Sequence, residues 1–148
     1  MADLVKLSPK RERELNQALE ALFHGFNAVV AHPDAMLAEQ GLSRVHHRIL
    51  YFVGRNSGLS VNDLLGILKV SKQSLNGPMR QITGLGYVKA QADAEDRRIK
   101  RLSLTESGQM LESALSGDQR ARFARVFALL GAEDEQAWRR VMDKLAGR

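Results

Sequence analysis

Residues 88–108, VKAQADAEDRRIKRLSLTESG, decide the fold. Segments 89–91 and 99–104 alternate in polarity with the period of a strand, and residues 92–98 between them form an Asp-rich connection too polar to bury. The reading is a hairpin whose tip carries Asp96, Arg97 and Arg98. Guanidinium forks on a narrow ribbon suit phosphates and a narrow minor groove. Taken alone, an Asp-Arg-Arg turn is equally a solvated surface feature, so the flanking sequence carries the decision.

Working outward, helix punctuation organises the chain. Ser8 followed by Pro9 is an N-cap with proline at the first helical position, and Leu15, Leu19, Leu22, Phe26 and Val29 then share one face of a helix expected to stop before Pro33. A second helix from about Ser43 presents Val45, Ile49, Phe52 and Val53 to a core and stops around Asn56 to Gly58. Ser60 and Asp63 form a capping box for a short third helix through Leu68, with Val61, Leu64, Leu65 and Leu68 inward. Ser71 caps a fourth helix ending near Leu85, where Gly86 supplies a left-handed exit. After the hairpin, Thr105 caps a fifth helix with Met110, Leu111, Ala114 and Leu115 in its first half. Gly117 is a candidate bend, and Phe123, Val126, Phe127 and Leu130 follow it. A last helix over 133–145 carries Trp138, Val141, Met142 and Leu145 on one side.

The fourth helix has two faces. Leu75, Met79 and Ile82 turn inward, leaving Lys72, Gln73, Asn76 and Arg80 opposite. Gln73 and Asn76 carry the paired donor and acceptor that match adenine, while Lys72 and Arg80 suit guanine or phosphate. Ser71 and Ser74 suit the phosphate backbone. Gly77 and Pro78 interrupt this helix, since proline cannot donate to the carbonyl of Ser74; the helix is expected to bend there or to become regular only from Pro78.

Composition narrows the function. The chain has 148 residues, 22 Lys and Arg against 17 Asp and Glu, and a net charge of +5, which favours a polyanionic partner. No apolar run approaches the roughly 20 residues of a membrane span, and no signal-peptide core stands at the N-terminus, so a cytoplasmic protein is expected. With no cysteine, disulfides and thiol chemistry are excluded. Nucleophile, zinc-protease and phosphate-loop motifs are missing, and neither a cofactor nor a metal site is expected.

The order of four helices, a two-stranded wing and two helices, with LSVNDLLGILKVSKQSLNGPMRQITGLGYV running into DAEDRRIKRLSLTESG, resembles the multiple antibiotic resistance regulator (MarR) family of bacterial transcription factors. The resemblance rests on residues 64–68, the Ser-capped helix 71–85, the exit at 86–88, the Asp-Arg-Arg wing at 96–98 and the Leu-Thr-x-x-Gly return at 104–108. It covers about the central half of the chain. It implies a mainly α fold with a small β-hairpin wing: one domain over 1–148, a winged helix-turn-helix lobe at 43–104, and dimerisation helices at 8–32 and 105–146. It also implies a homodimer on double-stranded DNA, a pseudo-palindromic operator, a repressor role and a small aromatic or lipophilic effector. DNA contacts are expected from Ser71, Lys72, Gln73, Ser74, Asn76, Arg80, Asp96, Arg97, Arg98 and Lys100. Asp96 is expected to orient an arginine while Arg98 enters the minor groove, with Arg97, Lys100 and Arg101 serving the backbone or the wing itself. The resemblance places an effector cleft beside the first two helices, with Phe23, Phe26, His47, Arg48 and Tyr51 as candidates; His24, His32 and His46 lie in the same region. Hydrogen-bonded structural histidines are the competing reading. A winged helix used for protein contacts is the competing function.

Overall fold

A computed structural model of the chain describes residues 5–148. In order the elements are α1 (Pro9–Ala38), α2 (Arg44–Arg55), α3 (Val61–Leu68), α4 (Lys72–Gly84), β1 (Val88–Ala92), β2 (Lys100–Leu104), α5 (Glu106–Leu130) and α6 (Ala132–Leu145). The caps form as expected: Ser8 Oγ accepts from Arg11 N, Ser71 Oγ from Ser74 N and Thr105 Oγ1 from Gly108 N, each at 3.1 Å. Ser60 and Asp63 exchange both capping-box bonds at 3.0 Å. Gly86 sits at φ +81° after α4, the conformation expected of it.

The core lies between α2, α4, the hairpin and the middle of α5. Leu37, Leu42, Ile49, Leu50, Val53, Leu64, Leu75, Ile82, Val88, Leu102 and Leu115 are buried together there. β1 and β2 pair antiparallel, Val88 opposite Leu104 and Ala92 opposite Lys100. The chain before α3 lies along the other edge of β2: Gly58 N donates to Leu102 O at 2.7 Å, and Leu102 N to Leu59 O at 2.9 Å. The wing is thus fixed at its base on both edges of β2.

Four boundaries differ from the sequence reading. Helix α1 does not stop before Pro33 but runs through it to Ala38. Proline removes the donor that the Val29 carbonyl needs, at a cost of about 3 kcal/mol in a regular helix. Here Gln119 Nε2 of α5 reaches that carbonyl at 3.5 Å, and Val30, Pro33 and Leu37 are buried on one face. Helix α4 is likewise continuous from Lys72 through Gly77 and Pro78, so regular geometry does not wait for Pro78. Gly117 lies inside an unbroken α5. In the hairpin Ala92 belongs to β1, whereas Ile99 belongs to the turn, its N–H donating to Asp96 O at 3.0 Å. Met110 and Ala114 point outward.

Beyond this core the two ends of the chain are thinly covered. From Pro9 to Val29 no residue of α1 is buried, and none of α6 is. Leu19 is 65% exposed, Leu129 83% and Leu145 68%. Helices of this kind draw most of their stability from packing, and this apolar face is left uncovered in the single chain.

Candidate nucleic-acid interface and adjoining cleft

Helix α4 is held from behind by Leu75 and Ile82, both buried, and by Met79 at the core edge. On its outer side Lys72, Gln73, Asn76 and Arg80 are exposed and make no side-chain hydrogen bond or ion pair among the described residues. Ser71 accepts from Ser74 N and donates to Ser74 Oγ at 2.9 Å, so its hydroxyl is fully engaged in capping. Ser74 keeps its own hydroxyl proton, which makes it the better phosphate donor of the two.

The wing tip is built on two carboxylates. Asp93 Oδ2 accepts from the backbone N–H groups of Glu95 and Asp96 at 3.1 and 3.0 Å, and its Oδ1 accepts from Arg101 Nε at 3.1 Å. The Asp96 N–H first, then the Arg101 guanidinium, hold the Asp93 carboxyl below the usual range. Asp96 takes a two-pronged grip on Arg98, Nε at 3.0 Å and Nη2 at 2.9 Å, and the Arg98 side chain is nonetheless 90% exposed. That guanidinium lowers the Asp96 carboxyl in turn. Arg98 is therefore presented to solvent in a fixed orientation, Arg101 is tied down inside the wing, and Arg97 and Lys100 are exposed cations beside it. Sequence reasoning missed Asp93; its signal was the three-residue spacing of an Asx turn before Asp96.

The histidines separate. His46, at the third position of α2, accepts from Ser43 N at 3.0 Å on Nδ1, so Nε2 donates to Gln81 Oε1 at 2.9 Å. It ties the start of α2 to α4 and has no role in the cleft. His24 stacks edge-on with Phe23 on the open face of α1, and His32 pairs with Asp118 at 2.8 Å. A cleft of about 230 Å³ between α1, α2 and α5 is lined by Phe26, Val30, Arg44, His47, Arg48, Tyr51, Phe52 and Gln119. It brings Phe26, His47, Arg48 and Tyr51 together as expected, whereas Phe23 lies outside it, 62% exposed on the neighbouring turn. Arg44 was not anticipated. Its guanidinium is bound to Asp34, at 3.0 Å through Nε and 2.9 Å through Nη2, and lies over the Phe26 ring. Arg48 has no ion-pair partner among the described residues. Among those residues, no three His, Asp or Glu side chains are placed to share a metal ion, and no helix is long and apolar enough to cross a membrane.

A second, larger groove of about 570 Å³ runs between α1, α5 and α6, with Leu22, Phe26, Val126, Leu130 and Trp138 in its walls. Phe123 and Phe127 stack on Trp138 with centroids at 5.2 and 5.7 Å.

Residues 40–99, which hold α2 to α4 and most of the wing, match a family model described as MarR family. The HTH-type transcriptional regulator PetP of Rhodobacter capsulatus is 34% identical over 134 residues, covering 90% of this chain and 81% of PetP. The HTH-type transcriptional repressor Rv2887 of Mycobacterium tuberculosis is 29% identical over 111 residues, covering 75% of this chain and 80% of the repressor. Its solved complex with salicylic acid superposes with a TM-score of 0.59 at 25% identity, covering 98% of this chain and 99% of that one. Streptococcus pneumoniae FabT, solved in complex with DNA, has a similar fold, with a TM-score of 0.80 at 16% identity over 90% of this chain and 95% of its own.

Proposed function

This chain belongs to the MarR family of transcriptional regulators, and from that premise we propose that it is a ligand-responsive repressor that binds a pseudo-palindromic operator as a homodimer. One observation carries the proposal. Lys72, Gln73, Asn76 and Arg80 form an unpartnered polar row on a helix anchored from behind, beside a wing that holds Arg98 out by its guanidinium. Side chains fixed at the backbone and free at the tip suit a major groove, and an oriented arginine suits the adjacent minor groove. Ser74, Arg97 and Lys100 supply phosphate contacts, which set register.

The uncovered face supports the dimer. Leu19, Leu22, Phe26, Val126, Leu129, Val141 and Leu145 are all more than 40% exposed, an apolar area that a second copy covers with two-fold symmetry. Rv2887, with its salicylic acid complex, supports a compact aromatic carboxylate as effector. In this chain Arg48 offers the unpaired cation, and Phe26 and Tyr51 the apolar walls.

Duplex binding measured against salt tests the DNA reading. Several phosphate contacts per dimer release counterions, so affinity is expected to fall by about a thousandfold or more between 50 and 200 mM salt. Weak binding with a flat salt response contradicts the proposal and favours a winged helix used for protein contacts.

A further inference from the structure

The cleft opens at one wall onto a buried chain of hydrogen bonds that DNA binding does not use. His47 Nε2 lies 3.0 Å from Ser116 Oγ, the Ser116 hydroxyl donates to Glu112 Oε1 at 3.1 Å, and Arg55 Nη2 meets that same oxygen at 3.0 Å. His47, Ser116 and Glu112 are all buried, while Arg55 is part-exposed and lies over the Tyr51 ring at 4.5 Å. The residues alternate between helices in a regular way. His47, Tyr51 and Arg55 follow one face of α2 at four-residue spacing, and Glu112 and Ser116 do the same on α5.

Proton counting fixes the tautomer. Ser116 has one hydroxyl proton and gives it to Glu112, so it accepts from His47, and the neutral imidazole carries its proton on Nε2. Nδ1 then has a lone pair and no protein partner. Among the described residues no fully buried side-chain nitrogen or oxygen lacks a hydrogen bond, so Nδ1 is not sealed off. The opening that His47 lines is the cleft.

The charges around this ring are Asp34 on α1, Arg44 and Arg48 on α2, and Glu112 on α5, with Arg55 behind Glu112. Burial favours the neutral imidazole, Glu112 and Asp34 favour the charged one, and Arg48 opposes it; burial prevails, and the His47 pKa is lowered. An anion seated on Arg48 neutralises that opposition.

We infer that an anionic ligand enters this cleft together with one proton, which His47 takes up on Nδ1, and that Glu112, reached through Ser116, is the buried counter-charge. The inference rests on the cleft being the effector site. The proton comes from solvent, adds to the Nδ1 lone pair and leaves the Nε2–H bond to Ser116 in place. Glu112 touches no ligand and acts as a positioning residue. The sign follows from linkage. Between the free and the liganded pKa of His47, the complex holds one proton more than its separated components. Affinity therefore falls about tenfold for each unit rise in pH. Below that range free His47 is already charged and the dependence flattens. The effector response thus strengthens as the surroundings acidify.

The test titrates salicylate, ionised throughout, into the full chain between pH 6.5 and 8.5, reading the Arg48 and His47 side-chain resonances by NMR. The expected result is a tenfold loss of affinity per pH unit in the parent, with a proton appearing on Nδ1 as salicylate binds. In Glu112→Gln, whose amide oxygen still accepts from Ser116, salicylate still moves Arg48 but with an affinity that no longer depends on pH over this range. Should that variant fail to fold, Ser116→Ala cuts the same connection at its middle. Salicylate that moves Arg48 equally well at every pH in the parent overturns the proton coupling, a slope that survives the cut overturns the counter-charge role of Glu112, and either leaves the effector cleft standing. Salicylate that moves neither Arg48 nor His47 at saturating concentration overturns both.

Discussion

Gly108→Ala is expected to destabilise the chain by more than about 3 kcal/mol, read as a fall in the urea midpoint, and to cost DNA binding with it. An ideal Cβ at this position falls 2.0 Å from Tyr87 O and 2.9 Å from Tyr87 C, contacts with backbone that no side-chain rotation relieves. The contact is close because the start of α5 is clamped onto the exit from α4. Thr105 N donates to Tyr87 O at 3.1 Å, Thr105 Oγ1 to Gly86 O at 2.5 Å, and Ser107 Oγ to Gly86 O at 3.1 Å. The helix that carries the uncovered apolar face is thereby joined to α4 through one tight crossing. Gly77→Ala is the control. Its Cβ meets nothing within 4 Å, and alanine in a helix interior is favoured over glycine by roughly 0.5–1 kcal/mol. Equal midpoints for Gly108→Ala and the parent would contradict this packing.

Arg98→Ala is expected to weaken duplex binding by about 1–3 kcal/mol, a factor of roughly 5 to 150, and to leave the melting temperature unchanged. Its side chain is almost wholly exposed and holds no element together, so the effect is confined to binding. The loss should be largest on sites flanked by A/T, whose narrow minor groove attracts an inserted guanidinium. Asp96→Asn keeps the arginine but weakens the two-pronged grip that aims it, and should fall between the parent and Arg98→Ala. Uniform weakening on all sequences assigns Arg98 to phosphate, and no weakening at all removes the wing from the interface.

Much of this architecture was legible in the sequence where its physics is local. Ser8, Ser60, Ser71 and Thr105 cap helices through bonds to N–H groups three residues on, and Gly86 takes its left-handed turn whatever lies elsewhere in the chain. The two faces of α4 needed only helical periodicity. Misreadings arose where a distant residue decides. Pro33 reads as a stop until Gln119, in another helix, supplies the missing donor to Val29 O. Pro78 is the exception, since α4 runs through it with no distant donor to the Ser74 carbonyl among the described residues. Of the candidate cleft residues Phe26, His47, Arg48 and Tyr51 converge, but Arg44 and its Asp34 partner do not show in any periodic pattern, and Phe23 follows the α1 face that turns away. The His47–Ser116–Glu112 chain joins residues 69 apart in sequence, and Glu112 and Ser116 read as ordinary polar positions of an amphipathic helix.

The most direct test of a sequence-specific homodimer is selection of bound duplexes from a random pool by the purified chain, with its mass in solution measured on the same preparation. The homodimer has an expected mass of twice 16.5 kDa and enriches an inverted repeat whose half-sites lie about one helical turn apart. A monomer, or a pool that emerges without an enriched sequence, would contradict the sequence-specific homodimer.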